Sequence, residues 1–177
     1  MSRVALVPGV LALLPEYASL DDPVADLRTA CLEAVGWLVE AGPVTVVADD
    51  QGRRVAEHLV SEVGGATRAT DSPDDLRASG ATVLVVGNGS ARRSEKAPGH
   101  LDQRAATFDA GLGRSLKEGS PQLLAALDRE LASELWASVD AIVQMAALPD
   151  LTLVGVDYDD DPFGVQYWVI RWAGRQP

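Results

Sequence analysis

The segment Thr82-Val83-Leu84-Val85-Val86, followed at once by Gly87-Asn88-Gly89-Ser90, decides the fold of this chain. Its apolar and β-branched residues run without alternation, which is typical of a strand covered on both faces. Two earlier runs have the same character, Val4-Ala5-Leu6-Val7 and Val44-Thr45-Val46-Val47. Helical patterns separate the three runs, and this alternation predicts a parallel sheet with right-handed crossovers.

The helices of the first half are marked by their ends. The first is predicted between Asp22-Pro23 and Gly42, because Asp caps helices and proline fits the first turn. The second is predicted to end at Gly64-Gly65, and a capping-box pattern at Ser72-Pro73-Asp74-Asp75 predicts a short third helix.

The second half of the chain begins as helix. An apolar stripe between Asp102 and Gly119 predicts one helix, and Ser120-Pro121 opens another. A further helix is predicted from about Leu131 to Ala146.

The tail changes to a period of two. Leu151 to Tyr158 and Val165 to Trp172 predict the strands of an antiparallel hairpin. The alternation in the second strand predicts one face with Gln166, Trp168, Ile170 and Trp172 and the other with Val165, Tyr167 and Val169. The sequence therefore predicts one three-layer α/β domain over residues 1–177, with a mixed, mostly parallel sheet closed by a C-terminal antiparallel hairpin.

Composition excludes several classes of function. A net charge of −11 in 177 residues argues against nucleic acid as a partner, because nucleic-acid binding draws on Lys and Arg at the phosphates. The single cysteine, Cys31, excludes a disulfide framework and a thiolate metal cluster. It falls on the apolar stripe of the first predicted helix, so it is predicted to be a core residue. No apolar run reaches about 18 residues, so no membrane span is predicted and we expect a cytoplasmic protein.

A basic loop follows the strand at 82–86. Between Gly87 and Arg104 the chain has four basic and two acidic side chains. Open α/β sheets bind ligands at the carboxyl ends of their strands, so this loop and the end of the neighbouring strand are the predicted site for a small anionic molecule. The candidate contacts are Asn88, Ser90, Arg92, Arg93, Lys96 and Asp49. A solvated loop whose arginines pair with the protein's own carboxylates is the alternative, and the sequence leaves both open.

Standard cofactor motifs are missing. Arg92 stands where a dinucleotide-binding loop needs its third glycine, and no phosphate-binding loop with Gly-Lys-Ser/Thr occurs. The acidic run from Asp157 to Asp161 has Pro162 where a helix-loop-helix calcium site needs glycine. No metal site and no cofactor are predicted from these motifs.

Three segments resemble a short actinobacterial branch of proteins classed with the catalytic subunit of class III extradiol ring-cleavage dioxygenases. The similarity is most specific in the middle of the chain and extends to both ends. Its residues are the run Gly87 to Asp102 with Arg104-Ala105 and Phe108-Asp109, the opening Val4 to Pro8 with Leu13 to Glu16, and the tail Tyr158 to Asp160 with Pro162 to Val165.

The resemblance implies an α/β fold and a mononuclear non-haem iron, held by two histidines and a carboxylate, that binds a catechol and dioxygen. The chain departs from that pattern at both expected histidines. Pro8-Gly9 stands where the family has Pro-His, and Ala91 follows Ser90 where the dioxygenases have histidine. Neither His58 nor His100 falls at a motif position, so we carry no metal ligand over to them.

Three functions remain open from the sequence, and they leave open whether the chain is an enzyme. The first is a dioxygenase-like protein without the iron site that binds a small anionic molecule. The second is an active enzyme, either an extradiol dioxygenase with other ligands or a metal-free hydrolase or lyase using Glu16, His100 and Asp49. The third is a non-catalytic subunit of a larger assembly or a homo-oligomer, with an interface at Trp136, Trp168 and Trp172.

Overall fold

A six-stranded mixed sheet forms the centre of the molecule in a computed structural model, which describes residues 1–18, 20–68, 76, 80–118, 121–148 and 151–174. The strand order is β3-β2-β4-β1-β6-β5. Strands β1 to β4 are parallel, whereas β6 runs antiparallel to both β1 and β5. The strands are β1 Arg3–Val7, β2 Val44–Val47, β3 Thr67–Arg68, β4 Thr82–Val86, β5 Leu151–Asp160 and β6 Tyr167–Gly174.

Helices cover both faces of this sheet. The described helices are α1 Ala25–Val39, α2 Asp50–Glu62, α3 Ala105–Glu118, α4 Pro121–Ala125, α5 Arg129–Glu134 and α6 Asp140–Gln144, with short 3-10 turns at Leu11–Leu13, Pro15–Tyr17 and Met145–Ala147. One apolar core lies between the sheet and α1 and α2, and a second lies between the sheet and the helices that follow β4. The predicted α/β fold with a closing antiparallel hairpin is confirmed.

Strand β6 shows how the two cores are divided. Its Trp168, Ile170 and Trp172 belong to the core with α3, whereas Tyr167 and Val169 belong to the core with α1. Side chains alternate across a strand, so the period of two in the sequence identified the two faces correctly. Trp172 is fully buried, and its indole N–H donates to the Leu116 carbonyl at 3.1 Å.

The predicted helix from Leu131 to Ala146 is wrong. Helix α5 ends at Glu134 and α6 begins only at Asp140, because Trp136 has a φ of +57°, which ends the helical conformation between them. Apolar spacing cannot detect such a break when the turn residue is itself apolar.

Two smaller differences concern the start of one helix and an additional short strand. Helix α1 begins at Ala25 rather than at Asp22-Pro23, because the Asp22 carboxylate accepts from the Val24 N–H at 3.1 Å in a turn that precedes the helix. The two-residue strand β3 was not predicted, since Thr67–Arg68 is too short to leave a pattern. The helix predicted at Ser72-Pro73-Asp74-Asp75 lies outside the described residues.

The topology singles out the carboxyl end of β4. The chain leaves β1 and β2 toward α1 and α2 on one face, whereas it leaves β4 toward α3 and its neighbours on the other face. Because β4 lies between β2 and β1, its carboxyl end is a topological switch point, where open α/β sheets form a crevice. In the described part of the chain, every helix is too short or too polar to span a bilayer.

Candidate functional site

The loop after β4 is joined to three parts of the fold by its backbone. The Gly87 N–H donates to the Val7 carbonyl at 3.0 Å, and Asn88 exchanges backbone hydrogen bonds with Ser138 at 3.0 and 3.1 Å. The Gly89 N–H donates to the Gln166 carbonyl at 2.8 Å. The loop is therefore a fixed junction at the carboxyl edge of the sheet.

Gly87 and Gly89 at the start of the loop allow close approaches within the protein. A β-carbon at position 87 would lie 2.6 Å from the Ser138 carbonyl oxygen, and one at position 89 would lie 2.5 Å from Oδ1 of Asp109. Real β-carbons do not come this close to backbone or to a held carboxylate. The space that the sequence suggested for a ligand is thus occupied by the protein itself.

A buried carboxylate, Asp109 on α3, holds the middle of the loop. Ser90 donates to it twice, from its backbone N–H at 2.8 Å and from its hydroxyl at 2.6 Å, and Ser90 is fully buried. Burial raises the pKa of the Asp109 carboxyl, while the Ser90 hydrogen bonds and the charge of Arg93 offset part of the rise. This pair stabilises the loop and leaves the Ser90 hydroxyl inaccessible to a substrate.

Arg93 connects the loop to the tip of the closing hairpin. Its Nε donates to Oδ2 of Asp161 at 2.6 Å, and its Nη1 lies 3.5 Å from Oδ2 of Asp109. Its backbone N–H donates to the Gly164 carbonyl at 3.0 Å. The alternative in which arginines of the loop pair with the protein's own carboxylates therefore applies to Arg93. It applies as well to Arg104, which pairs with Asp102 at 2.9 Å and Glu134 at 2.6 Å, and Nη1 of Arg92 lies 4.0 Å from Oδ2 of Asp102.

Arg92 and Lys96 lie apart from Arg93. The guanidinium of Arg92 donates to the carbonyls of His100 at 3.4 Å and Glu134 at 3.1 Å, so it closes the loop on itself and on α5. Lys96 is exposed, and no carboxylate within the described ranges forms an ion pair with it. The arginine pair does not form one anion clamp.

The six residues predicted to contact a ligand do not lie in one site. Asp49 caps α2 by accepting from the Gly52 N–H at 2.7 Å, and the Asn88 side chain donates to the Gly89 carbonyl at 3.2 Å. Ser90 and Arg93 meet at Asp109, whereas Asp49 lines a different cavity. The structure brings Ser90 and Arg93 together and leaves the other four separate from them.

The larger of two cavities near this edge lies between α3 and the closing hairpin and has a volume of about 630 Å³. We call it the hairpin cleft. Its charged and polar lining residues are Arg93, Asp109, Arg114, Lys117, Glu118, Asp159 and Gln166, and its other lining residues are Ala106, Ala110, Gly113 and Trp168. Lys117 pairs with Asp159 at 2.6 Å, and the Gln166 amide donates to the same carboxylate at 2.9 Å. No carboxylate in the described part of the chain pairs with Arg114.

The second cavity, of about 460 Å³, lies at the topological switch point between the ends of β2 and β4. We call it the switch-point crevice. Its lining residues are Asp49, Val86, Arg129, Ser133, Trp136, Ala137, Ser138, Val139, Asp140 and Ala141. Its one guanidinium, that of Arg129, forms an ion pair with Asp140.

The residues present do not fit the iron site that the resemblance implies. A β-carbon at position 9 would lie 3.3 Å from Cγ1 of Val86 and 3.5 Å from Cα of Gly52, so β4 and the first turn of α2 pack closely around the position where the family has histidine. Ala91 is buried, and its N–H donates to the Leu135 carbonyl at 3.0 Å. His58 lines a third cavity, beside Arg28, whereas Nδ1 of His100 lies 3.3 Å from the Glu95 carbonyl oxygen.

Donor groups also fail to converge elsewhere. Among the described residues, no three or more His, Cys, Asp or Glu side chains form a group that could hold a metal ion. Cys31 is fully buried, and burial raises the pKa of its thiol, as befits the core role predicted for it.

Sequence reasoning missed Asp109, Arg114, Lys117 and Gln166. A signal existed for the first of these. Asp109 lies on the apolar stripe of α3, four residues after Ala105 and one after Phe108, and a charged residue on a buried stripe indicates a paired carboxylate. The other three become neighbours only when the hairpin folds against α3.

Two comparisons with known proteins give no relative. No family model matches this chain, and no curated protein is significantly similar to it. The dioxygenase resemblance therefore stays a hypothesis, and a function has to be argued from the geometry of the two cavities.

Proposed function

We propose that this chain binds a small anionic molecule, a carboxylate or a phosphate, in the hairpin cleft. We further propose that it is a dioxygenase-like protein without iron chemistry. The observation that carries the proposal is that Arg114 lines this cleft and forms no ion pair with a carboxylate of the described residues. The two other cations of the lining, Arg93 and Lys117, are paired, and the three cations equal in number the carboxylates of Asp109, Glu118 and Asp159. Guanidinium groups hold carboxylates and phosphates with paired donors.

The ion pairs within the cleft are compatible with binding. Asp159 and Asp161, the partners of Lys117 and Arg93, have side chains that are 36% and 35% exposed. Exposed ion pairs of this kind contribute about 0–1 kcal/mol, so a ligand anion can share or replace one of these carboxylates. Arg114 is available without such an exchange.

Small side chains give the cleft its room. Ala106, Ala110 and Gly113 follow one another along the wall formed by α3, and a β-carbon at Gly113 would lie 3.2 Å from the Trp168 ring. A volume of about 630 Å³ suits a ligand of metabolite size. We infer a compact ligand with one anionic group and a small apolar body.

The proposal is tested by titrating the protein with benzoate and with inorganic phosphate in a calorimeter. We expect saturable binding of at least one of them, and a loss of about tenfold or more in affinity for Arg114→Ala, as expected for a lost charge-assisted hydrogen bond. Arg53→Ala is the matched control, because Arg53 is also an exposed arginine on a helix but lies on α2, at the opposite face of the sheet. Equal affinities of the wild type and Arg114→Ala would contradict the proposal.

Iron content and oxygen uptake test the second part. We expect purified protein to contain less than stoichiometric iron and to consume no oxygen when catechol is added. Stoichiometric iron together with ring cleavage of a catechol would overturn this part and leave an active dioxygenase. A cytoplasmic location and association with a second copy stay predictions, although Trp168 and Trp172, expected at an interface, are 2% and 0% exposed and so unavailable to a partner.

A further inference from the structure

Trp136 occupies a backbone position that normally belongs to glycine. After α5 ends, the Trp136 N–H donates to the Ser133 carbonyl at 3.1 Å and the Ala137 N–H donates to the Ala132 carbonyl at 2.9 Å. This pair of hydrogen bonds is a Schellman motif, and Trp136, with a φ of +57°, is the residue in the left-handed conformation. A side chain is disfavoured in that conformation, and a bulky one is unusual there.

Packing of the Trp136 indole does little to offset the cost of that backbone conformation. Trp136 is 57% exposed, whereas Trp168 and Trp172 are buried in the core. The remaining tryptophan, Trp37, lies beneath the guanidinium groups of Arg3 and Arg171, at 4.9 and 5.6 Å from the ring centroid. Of the four tryptophans, Trp136 alone combines a large exposed surface with a strained backbone.

The exposed indole lines the switch-point crevice together with carboxylates. Asp140 is paired with Arg129, so these two charges offset each other. Asp49 uses Oδ1 to cap α2, and no cationic group of the described residues pairs with it. The crevice therefore has a formal charge of −1 from one unpaired carboxylate, and Trp136 lines the same cavity.

We propose that the switch-point crevice is a second binding site, for a small organic cation such as an alkylated ammonium group. A tryptophan face attracts cations through its quadrupole, and an adjacent carboxylate adds direct charge attraction. A volume of about 460 Å³ accommodates such a molecule. This site is separate from the hairpin cleft, so it does not depend on the proposed anion binding.

The test uses choline as the probe and 3,3-dimethylbutan-1-ol as its neutral isostere, in a chemical-shift titration of ¹⁵N-labelled protein at constant ionic strength. We expect saturable shifts at Asp49 and from Trp136 to Ala141 with choline, and at least about tenfold weaker binding of the isostere. Absence of saturable shifts with choline, or equal binding of the two probes, would overturn the proposal.

Two variants assign the effect to named groups. Trp136→Gly should lose choline binding by about tenfold or more, while its Tm stays constant or rises by about 2–4 °C because glycine suits the turn. Asp49→Asn should weaken binding severalfold while keeping the helix cap, and Asp128→Asn, the same change at the cap of α5 outside the crevice, should leave it unchanged.

Other outcomes for these variants are equally informative. A lower Tm together with unchanged choline affinity in Trp136→Gly would assign Trp136 to packing and overturn the site. Benzoate binding, measured on the same samples, should be unaffected in all three variants, so failure of one site is distinguishable from failure of the other.

Discussion

The hairpin cleft and the switch-point crevice lie at the same edge of the sheet, but their carboxylates differ in burial and in the number of hydrogen bonds and ion pairs that they form. In the hairpin cleft, Asp109 is 2% exposed and accepts two hydrogen bonds from Ser90, and Lys117 pairs with Asp159. In the switch-point crevice, Asp49 is exposed, and among the described residues its carboxylate accepts only the capping hydrogen bond.

The difference shows that nearness to the strand ends does not by itself identify a binding group. Polar residues that follow a strand are first used to connect loops to neighbouring elements, as Ser90 and Arg93 are. The groups left for a ligand are those that the fold does not use, which here are Arg114 in one cavity and Trp136 with Asp49 in the other.

The largest expected effect on stability comes from removing the buried carboxylate of Asp109 from the hairpin cleft. Asp109→Ala would leave the Ser90 N–H and hydroxyl buried without an acceptor and Arg93 with Asp161 as its remaining carboxylate partner. We expect a loss of about 3–5 kcal/mol in the free energy of unfolding. Urea denaturation at pH 7 measures this. Asp49→Ala in the crevice should lose only about 1 kcal/mol, the value of a helix cap. Equal losses in the two variants would contradict the contrast between the cavities.

Gly164 allows the tip of the hairpin to approach the loop after β4. Its substitution should cause the next largest loss in the free energy of unfolding. Its φ is +68°, and a β-carbon there would lie 2.7 Å from Cβ of Ala97. We expect Gly164→Ala to lower the free energy of unfolding by about 2–4 kcal/mol, because a steric clash adds to the left-handed conformation. Gly64→Ala is the matched control, since Gly64 has a φ of +72° with nothing within 4 Å, and it should lose about 1 kcal/mol. Indistinguishable urea midpoints for the two variants would contradict this prediction, because they would show that the residues around Gly164 move to accommodate a β-carbon.

A smaller effect concerns pH. Burial raises the pKa of Asp109 above that of an unfolded chain, so the folded protein binds this proton more tightly. This contribution to stability is fully present below pH of about 4 and is lost as pH rises through the raised folded pKa. The stability advantage of the wild type over Asp109→Asn should therefore grow as pH falls from 7 toward 4, as measured by urea midpoints.

Asp102 provides the control for this pH dependence. Hydrogen bonds from Arg104 lower the pKa of Asp102 to about 2, so its contribution is present above pH of about 4 and is lost as pH falls toward 2. Asp102→Asn should thus differ from the wild type by a constant amount between pH 7 and 4. A constant difference for Asp109→Asn as well would contradict the direction of its shift.

The layers of the fold could be predicted from the sequence because they depend on local patterns. Continuous apolar runs identified the buried strands β1, β2 and β4, and the period of two identified the faces of β6. The break at Trp136 could not be predicted, since the left-handed turn there is made by a residue that a helical pattern accepts.

The candidate site was predictable only in part. Arg93 was identified by its charge and its position after β4, and it does line a cleft. Its neighbours Lys117, Asp159 and Gln166 come from segments far apart in the chain and meet only through the packing of α3 against the hairpin. The spacing of residues within one segment cannot predict contacts between segments that are far apart in the chain.

The most direct test of the account is a map of benzoate binding on ¹⁵N-labelled protein. Binding in the hairpin cleft predicts saturable changes in the amide chemical shifts of Arg93, Ala110, Gly113, Arg114 and Gln166. The amide chemical shifts around Asp49 and Trp136 should not change. Shifts centred on Asp49 and Trp136, or on Arg92 and Lys96, would place the anion elsewhere and contradict it.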